Sequence, residues 1–340
     1  MHGMDTNKLK RNLDALLSKR VADGLLPCAQ AAVFRRGETV YTGAFGWLNQ
    51  EQGQPLPEDA IFRIYSMSKV FTSVAALTLL EEGRYKLNDP LYRYFPEFEQ
   101  SMVAEVQPNG QVNYVAPRRP IWIRDLFTMA TGIPYENENG SPAERAVAAW
   151  ERMKVPDSAA FMAHLATIPL DFHPGEHWRY GLSIDMLGAL VERLSGQKLG
   201  AYMKARIFDP LGMEDTDFVI PPEKLHRFVT MYEGAPGAFV PVMPGQDLYD
   251  EHLSRPGMEG GGGGLTSTLK DTGRFIQMLQ NLGTLDGVRI LSRRTVELMR
   301  TNFLSPQQLI DDAWDTQRGY GYGLGVRTMM HPEIAGFGNV

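Results

Sequence analysis

Between residues 64 and 80 the chain is almost wholly apolar and carries a single charge, Lys69. The run Ser66-Met-Ser-Lys-Val-Phe-Thr-Ser-Val-Ala-Ala-Leu-Thr-Leu-Leu80 has too few polar positions for a surface helix and is too short to span a bilayer. It reads as a buried helix that ends near Glu82-Gly83. Leu9, Leu13, Leu16, Leu17 and Val21 recur at helical spacing and predict an amphipathic helix over 6–23. Two strands, 29–34 and 39–45, flank Arg35-Arg-Gly-Glu38 as a hairpin. Pro108-Asn-Gly110 marks a second, smaller hairpin within 103–115. Further helices are predicted over 123–129, stopped by Thr131-Gly132, over 142–154 and 157–167, parted by Val155-Pro156, and over 183–194. Another runs from Ser267-Thr268 to about Leu282. Residues 289–290 and 322–329 read as strands returning late. Strands at both ends with helices between predict an α+β fold: a sheet domain from 1–85 and 215–340 that holds an inserted, mainly helical domain, 86–214.

The lone lysine gives the buried helix its chemistry. Near the first turn it faces both desolvation and the positive end of the helix dipole, and both favour the uncharged amine. Ser66 lies three residues earlier, on the same helical face. A free amine beside a hydroxyl activates serine as a nucleophile without histidine. The spacing alone is weak, because Ser195-Gly-Gln-Lys198 and Ser267-Thr-Leu-Lys270 share it. Ser195-Gly196 reads as a helix C-terminus with Lys198 in solvent, and Ser267 or Thr268 as a helix N-cap with Lys270 on the wet side. The competing structural reading makes Ser66 an N-cap and Lys69 a snorkelling side chain.

Other candidate motifs are weaker. His173-Pro-Gly-Glu-His177 has the spacing of an inverted zinc-protease motif, but Pro174-Gly175 opposes the helix that such a site needs, so no metal is expected. Gly-x-Ser-x-Gly is absent, leaving a Ser-His-Asp hydrolase without an anchor. Gly260 to Gly264, five glycines in a row, lack the Lys-Ser/Thr of a phosphate loop and read as close-packed backbone near a ligand. Tyr180, just after the Pro-Gly turn, is a core ring or a second proton carrier beside Lys69.

A formal charge of −6, from 34 basic and 40 acidic residues without long runs of either sign, argues against nucleic acid or an anionic membrane as partner. The single cysteine, Cys28, fits a reducing compartment, and residues 1–10 are polar with no apolar segment following, so the reading is a cytoplasmic protein.

Ser66-Met-Ser-Lys69, Ile123-Arg-Asp-Leu-Phe-Thr-Met-Ala-Thr-Gly132, Pro174-Gly-Glu-His-Trp-Arg-Tyr180 and Gly261-Gly-Gly-Gly-Leu-Thr-Ser267 together resemble the serine β-lactamase and penicillin-binding superfamily in its class C branch. The nearest resemblance is to the family VIII carboxylesterases. It implies a β-lactamase-like fold, an antiparallel sheet flanked by helices with the inserted helical domain beside it and the site in the cleft between. It further implies Ser66 as nucleophile, Lys69 as its base, Tyr180 as proton shuttle and the Ser66 backbone N–H as one oxyanion donor. Leu182, Gly262 and Gly263 would line the substrate site, with no cofactor and a small-molecule ester as partner. Leu182 stands where the family's Tyr-x-Asn motif has asparagine, which weakens a β-lactam reading and leaves an ester reading intact. The third motif, Lys/His/Trp-x-Gly on a strand, has no candidate before Gly336-Phe-Gly-Asn-Val340, so the expectation is that the second oxyanion donor lies on chain beyond residue 340 or that another segment completes the fold. The expected activity is ester hydrolysis through an acyl-enzyme. β-lactamase, D-amino-acid peptidase or acyltransferase chemistry on the same machinery, and a non-catalytic binding homologue, remain the alternatives.

Overall fold

The computed structural model describes residues 5–150, 155–243, 245–246, 252–312 and 318–335. The elements used below are, in chain order, α1 Thr6–Ala22, β1 Cys28–Arg35, β2 Glu38–Asn49, β3 Gln54–Pro55, β4 Ile61–Arg63, α2 Ser68–Glu81, β5 Val103–Val106 and β6 Val112–Val115. They continue with α3 Ile123–Thr128, α4 Pro142–Ala148, α5 Ser158–Leu165, α6 Ser183–Ser195, β7 Thr266–Thr268, α7 Leu269–Gln280, β8 Tyr320–Tyr322 and β9 Arg327–Met329. Contacts group the chain into two compact units, Met1–Ile64 with Phe208–Pro256 and Leu265–Val288, and Tyr65–Ile207 with Gly257–Gly264 and Arg289–Val340. These units are not bounded at 85/86 and 214/215: α2, which packs on α6, is grouped with the helices, and so are 257–264 and 289–340.

The first unit is built on the antiparallel pair β1–β2, extended by β3 into a three-stranded sheet. Arg36 and Gly37 both adopt left-handed backbone (φ 51° and 83°), as a two-residue hairpin turn requires to match strand twist. Asp5 caps α1 by accepting from the Lys8 N–H at 2.9 Å. Leu9, Leu13, Leu17 and Val21 are half-buried, whereas Leu16 is 51% exposed, so the apolar stripe is narrower than the sequence suggests. β4 pairs with β7, Phe62 opposite Ser267, and Thr268 caps α7.

An ion-pair cluster ties the irregular 215–227 segment to this unit. Asp215 accepts from Arg227 at 2.6 and 3.0 Å and pairs with Lys224 at 2.7 Å, while Arg227 also reaches Asp59 at 3.3 Å. The Arg227 hydrogen bonds hold the Asp215 carboxyl down at about 2.

In the second unit, α2 is buried on nearly every side, as its composition predicts. Gly83 (φ 70°) follows its C-terminus. α6 ends on Gly196 in left-handed conformation (φ 71°), the helix end read from Ser195-Gly196. α3 ends at Thr128, one residue short of the expected 129. Met129 itself takes the left-handed position (φ 60°), so the stop precedes Gly132. Asp125 on α3 is buried and receives Arg119 at 2.6 and 3.0 Å; burial pushes its carboxyl above the usual range. β5 and β6 form the small hairpin read from Pro108-Asn-Gly110. α4 ends at Ala148, and residues 151–154 of the helix expected over 142–154 lie outside the described residues. The strand expected over 322–329 is instead two strands, β8 and β9, paired Tyr320 to Met329 across a turn containing Gly325 (φ 79°). Residues 336–340, where the sequence was read as approaching the third motif, also lie outside the described residues. Among the described residues no helix is long and apolar enough to cross a membrane.

The Asp215 cluster gives a signed pH prediction. A carboxylate held below its unfolded value contributes fully above about pH 4, and that contribution is lost as pH falls toward about 2. Asp215→Asn is expected to destabilise the protein by on the order of 1–2 kcal/mol at neutral pH, allowing for solvent screening. The difference from the parent should close as pH falls toward about 2. Thermal melts of both proteins across this range check it, and a gap that stays constant in acid would contradict the assignment.

Candidate active site

The approach to α2 turns sharply. Tyr65 sits in left-handed backbone (φ 41°), which costs an aromatic residue about 1–2 kcal/mol and marks a position held by its surroundings. It opens a 3₁₀ turn, Tyr65–Met67, that leaves Ser66 exposed immediately before the helix. The N-cap position of α2 belongs to Met67, not Ser66, so the serine hydroxyl is not a capping group. Three residues on, Lys69 is only 3% exposed. Lys198 and Lys270, the lysines of the two other Ser-x-x-Lys matches, are exposed. Burial thus singles out one motif among three.

Three oxygens surround the amine. Lys69 Nζ lies 3.1 Å from Ser66 Oγ, 3.1 Å from the Tyr135 hydroxyl and 2.6 Å from the Gly262 carbonyl oxygen. The Tyr180 ring flanks it, with its centroid 4.7 Å from Nζ. Tyr135 and Tyr180 are neighbours, their centroids 5.7 Å apart. An isolated antiparallel bridge between Pro134 and Gly181 explains this, since it sets the residues beside each one next to one another. Gly181 is required there: a Cβ at that position would lie 2.3 Å from the Ile133 carbonyl oxygen. On the other side of the bridge from the two tyrosines, the Thr131 and Ser183 hydroxyls meet at 2.9 Å.

Of the residues expected at the site, Ser66, Lys69, Tyr180 and Gly262 converge. Gly262 faces the lysine through its carbonyl and is itself buried. Gly263 lies beside the Tyr65 backbone, where an added Cβ would stand 3.8 Å away. Leu182 begins α6 and is 2% exposed, so its side chain fills core in this structure. Tyr135 was missed by the sequence reading. It sits in irregular chain with no periodicity, and the one available signal was its place three residues after the Gly132 that closes the second quoted motif.

Beyond the phenols lies an open cleft of about 790 Å³, lined by Tyr135, Phe172, Trp178, Arg179 and Tyr180 among others. Arg179 crosses its wall, paired with Asp171 at 2.8 Å and Glu144 at 3.1 Å. Tyr322 meets Trp178 edge-on at 5.9 Å, and burial raises its hydroxyl well above the ordinary phenol range. The His173 and His177 side chains have separate partners, Glu105 at 3.1 Å and Asp311 at 3.0 Å. Among the described residues no group of three or more His, Cys, Asp or Glu is placed to hold a metal ion.

The family model for β-lactamases matches residues 13–339. The chain belongs to the β-lactamase family. A Mycobacterium tuberculosis protein of uncharacterised function is 34% identical over 316 residues, covering 90% of this chain and 76% of that one. Esterase EstB from Burkholderia gladioli is 30% identical over 299 residues, covering 82% and 71%. The solved structure of EstCE1, described as a hydrolase with promiscuous acyltransferase activity, superposes with a TM-score of 0.81 at 23% identity over 97% of this chain and 85% of that one. The antiparallel strands and flanking helices are therefore a β-lactamase-like fold, and the protein is a serine hydrolase of that family.

For a β-lactamase-family protein with three Ser-x-x-Lys matches, the geometry predicts where a serine-directed reagent reacts. A fluorophosphonate is expected to modify Ser66 and to leave Ser195 and Ser267 unmodified, as read by peptide mass mapping. Label on either of the other two would show that the buried lysine had been assigned to the wrong motif.

Proposed function

We propose that this protein is a carboxylesterase acting on short-chain or small aromatic esters through an acyl-enzyme on Ser66. The observation that carries the reading is the buried Lys69 amine 3.1 Å from an exposed serine hydroxyl. A free amine has two N–H groups and one lone pair. With the N–H groups given to the Gly262 carbonyl and the Tyr135 oxygen, the lone pair is left for the Ser66 hydroxyl.

On this scheme Ser66 Oγ attacks the ester carbonyl as its proton passes to Lys69, and the oxyanion that forms is met by the Ser66 backbone N–H. Collapse expels the alcohol, which receives the proton from Lys69 by way of the Tyr180 phenol. Water then attacks the acyl-serine, giving up its proton along the reverse path, and Ser66 is regenerated as the acid departs. The cleft beyond Tyr135 and Tyr180 has room for the group borne by the ester. Leu182 in place of the asparagine of Tyr-x-Asn favours esters over β-lactams, and the name of the EstB relative agrees with the ester reading. Transfer of the acyl group to an alcohol instead of water is the second reading. The description of EstCE1 supports it, and the same acyl-enzyme serves both.

A burst of nitrophenol from nitrophenyl acetate is expected, with slower turnover of nitrocefin. Ser66→Ala and Lys69→Ala should each lower kcat/KM by at least about a thousandfold, and Tyr180→Phe should lower kcat by about a hundredfold. Undiminished burst kinetics in the Ser66 or Lys69 variant would refute the mechanism. Faster nitrocefin than ester turnover would refute the substrate class, and product partition with added alcohols distinguishes transfer from hydrolysis.

A further inference from the structure

We propose that Asp185 is a positioning residue for Lys69, acting through the backbone of Gly262; the inference rests on the lysine-base reading above. Asp185 lies in the first turn of α6 and is buried. Its Oδ1 accepts the Gly262 N–H at 3.0 Å, and the carbonyl of the same residue accepts from Lys69 Nζ at 2.6 Å. One residue thus links a carboxylate on α6 to the amine on α2. The neighbouring residue is fixed the same way from the other helix, because the Thr72 hydroxyl donates to the Gly261 carbonyl at 2.7 Å.

The glycines are what permit this approach. A Cβ at Gly262 would lie 2.3 Å from Asp185 Oδ2, and one at Gly261 would lie 3.0 Å from Thr72 Cγ2. The run at 260–264 therefore works as bare backbone wedged against two helices. Its chemical output is a single carbonyl aimed at Lys69. A buried acceptor oxygen carried on a helix suits the task, since the hydrogen bond it accepts fixes the orientation of the residue that bears the N–H. With that carbonyl fixed, one N–H of the amine is fixed, and the lone pair stays on the Ser66 side. Misplacement of a reacting group by about 1 Å costs up to a hundredfold in rate.

The plain alternative is that Asp185 only complements the positive end of α6, as an acidic residue in a first helical turn does. Asp185→Asn separates the two, because it keeps an acceptor oxygen and removes the charge. The primary readout is the rate at which a fluorophosphonate labels Ser66, which needs no ester turnover; kcat and KM for nitrophenyl acetate are the second. Asp185→Ala is expected to slow labelling 10- to 100-fold and to lower kcat in proportion with little change in KM, whereas Asp185→Asn should stay within about threefold of the parent in both. An Asn variant as slow as the Ala variant, or an Ala variant labelled at the parental rate, would overturn the proposal. Should Asp185→Ala fail to give folded protein by thermal melting, Gly262→Ala, which keeps the carboxylate and displaces the backbone, must show the same slowing. A parent enzyme that is labelled at Ser66 but turns over no ester would sink the carboxylesterase reading, and the labelling rates would still decide the role of Asp185.

Discussion

Lys69 Nζ lies out of solvent with oxygens of residues 66, 135 and 262 at 2.6 to 3.1 Å. An amine removed from water must recover its hydrogen bonds from the protein, because an unmatched buried donor costs the desolvation of that group. Carbonyls inside helices and strands are already engaged by the backbone ladders, so irregular chain has to deliver the acceptors. That requirement accounts for much of the second unit. Each acceptor arrives by its own device: a strained Tyr65 ahead of Ser66, the Pro134–Gly181 bridge beside Tyr135, and a glycine run held by Asp185 at residue 262.

The polar side chains buried on the two central helices fall into the same pattern. Thr72 donates to the Gly261 carbonyl, Ser183 meets Thr131, and Asp185 accepts from the Gly262 N–H. None of these is explained by helix burial alone, which would be served better by alanine or leucine. They are satisfied buried groups, and such groups fix one arrangement of packed segments against neighbouring ones. α2 and α6 are therefore more than a hydrophobic pair. They are a frame on which loop backbone is hung at hydrogen-bond precision.

What the sequence disclosed follows from how local each signal is. Burial of α2 was legible because fifteen consecutive residues carry one charge, and the hairpin at Arg36-Gly37 because its turn chemistry lies within two residues. That Lys69 is the buried lysine of the three Ser-x-x-Lys matches was legible for the same reason, since only Lys69 has apolar sequence on both sides. Tyr135 was not legible, because its place depends on the bridge between Pro134 and Gly181, 47 residues apart in the chain. Met129 misled in the opposite direction. A left-handed methionine is disfavoured locally, so the helix stop was assigned to Thr131-Gly132 instead. The late strand was read as one over 322–329, and in the structure Gly325 lies in the turn between two. Gly262 was placed near the ligand, and its actual partner is the catalytic base of the proposed scheme.

The oxygen count around the amine bears on how that scheme gains its rate. A free amine has two N–H groups for three acceptors, so one oxygen must face the lone pair. Once the Ser66 proton has transferred, the ammonium has three N–H groups for the same three oxygens, and its charge lies 4.7 Å from the centroid of the Tyr180 ring, within the range of cation–π attraction. The surroundings are thus matched better to the lysine after proton transfer than before it. Interactions that strengthen as the reaction proceeds lower the barrier, whereas those equal in both states do not. A histidine in this position would present at most two N–H groups and a flat ring, and would leave one of the three acceptors unmatched. The geometry of residues 66, 135 and 262 therefore selects an amine specifically, and the tyrosines serve that selection in two ways, one through its hydroxyl and the other through its face.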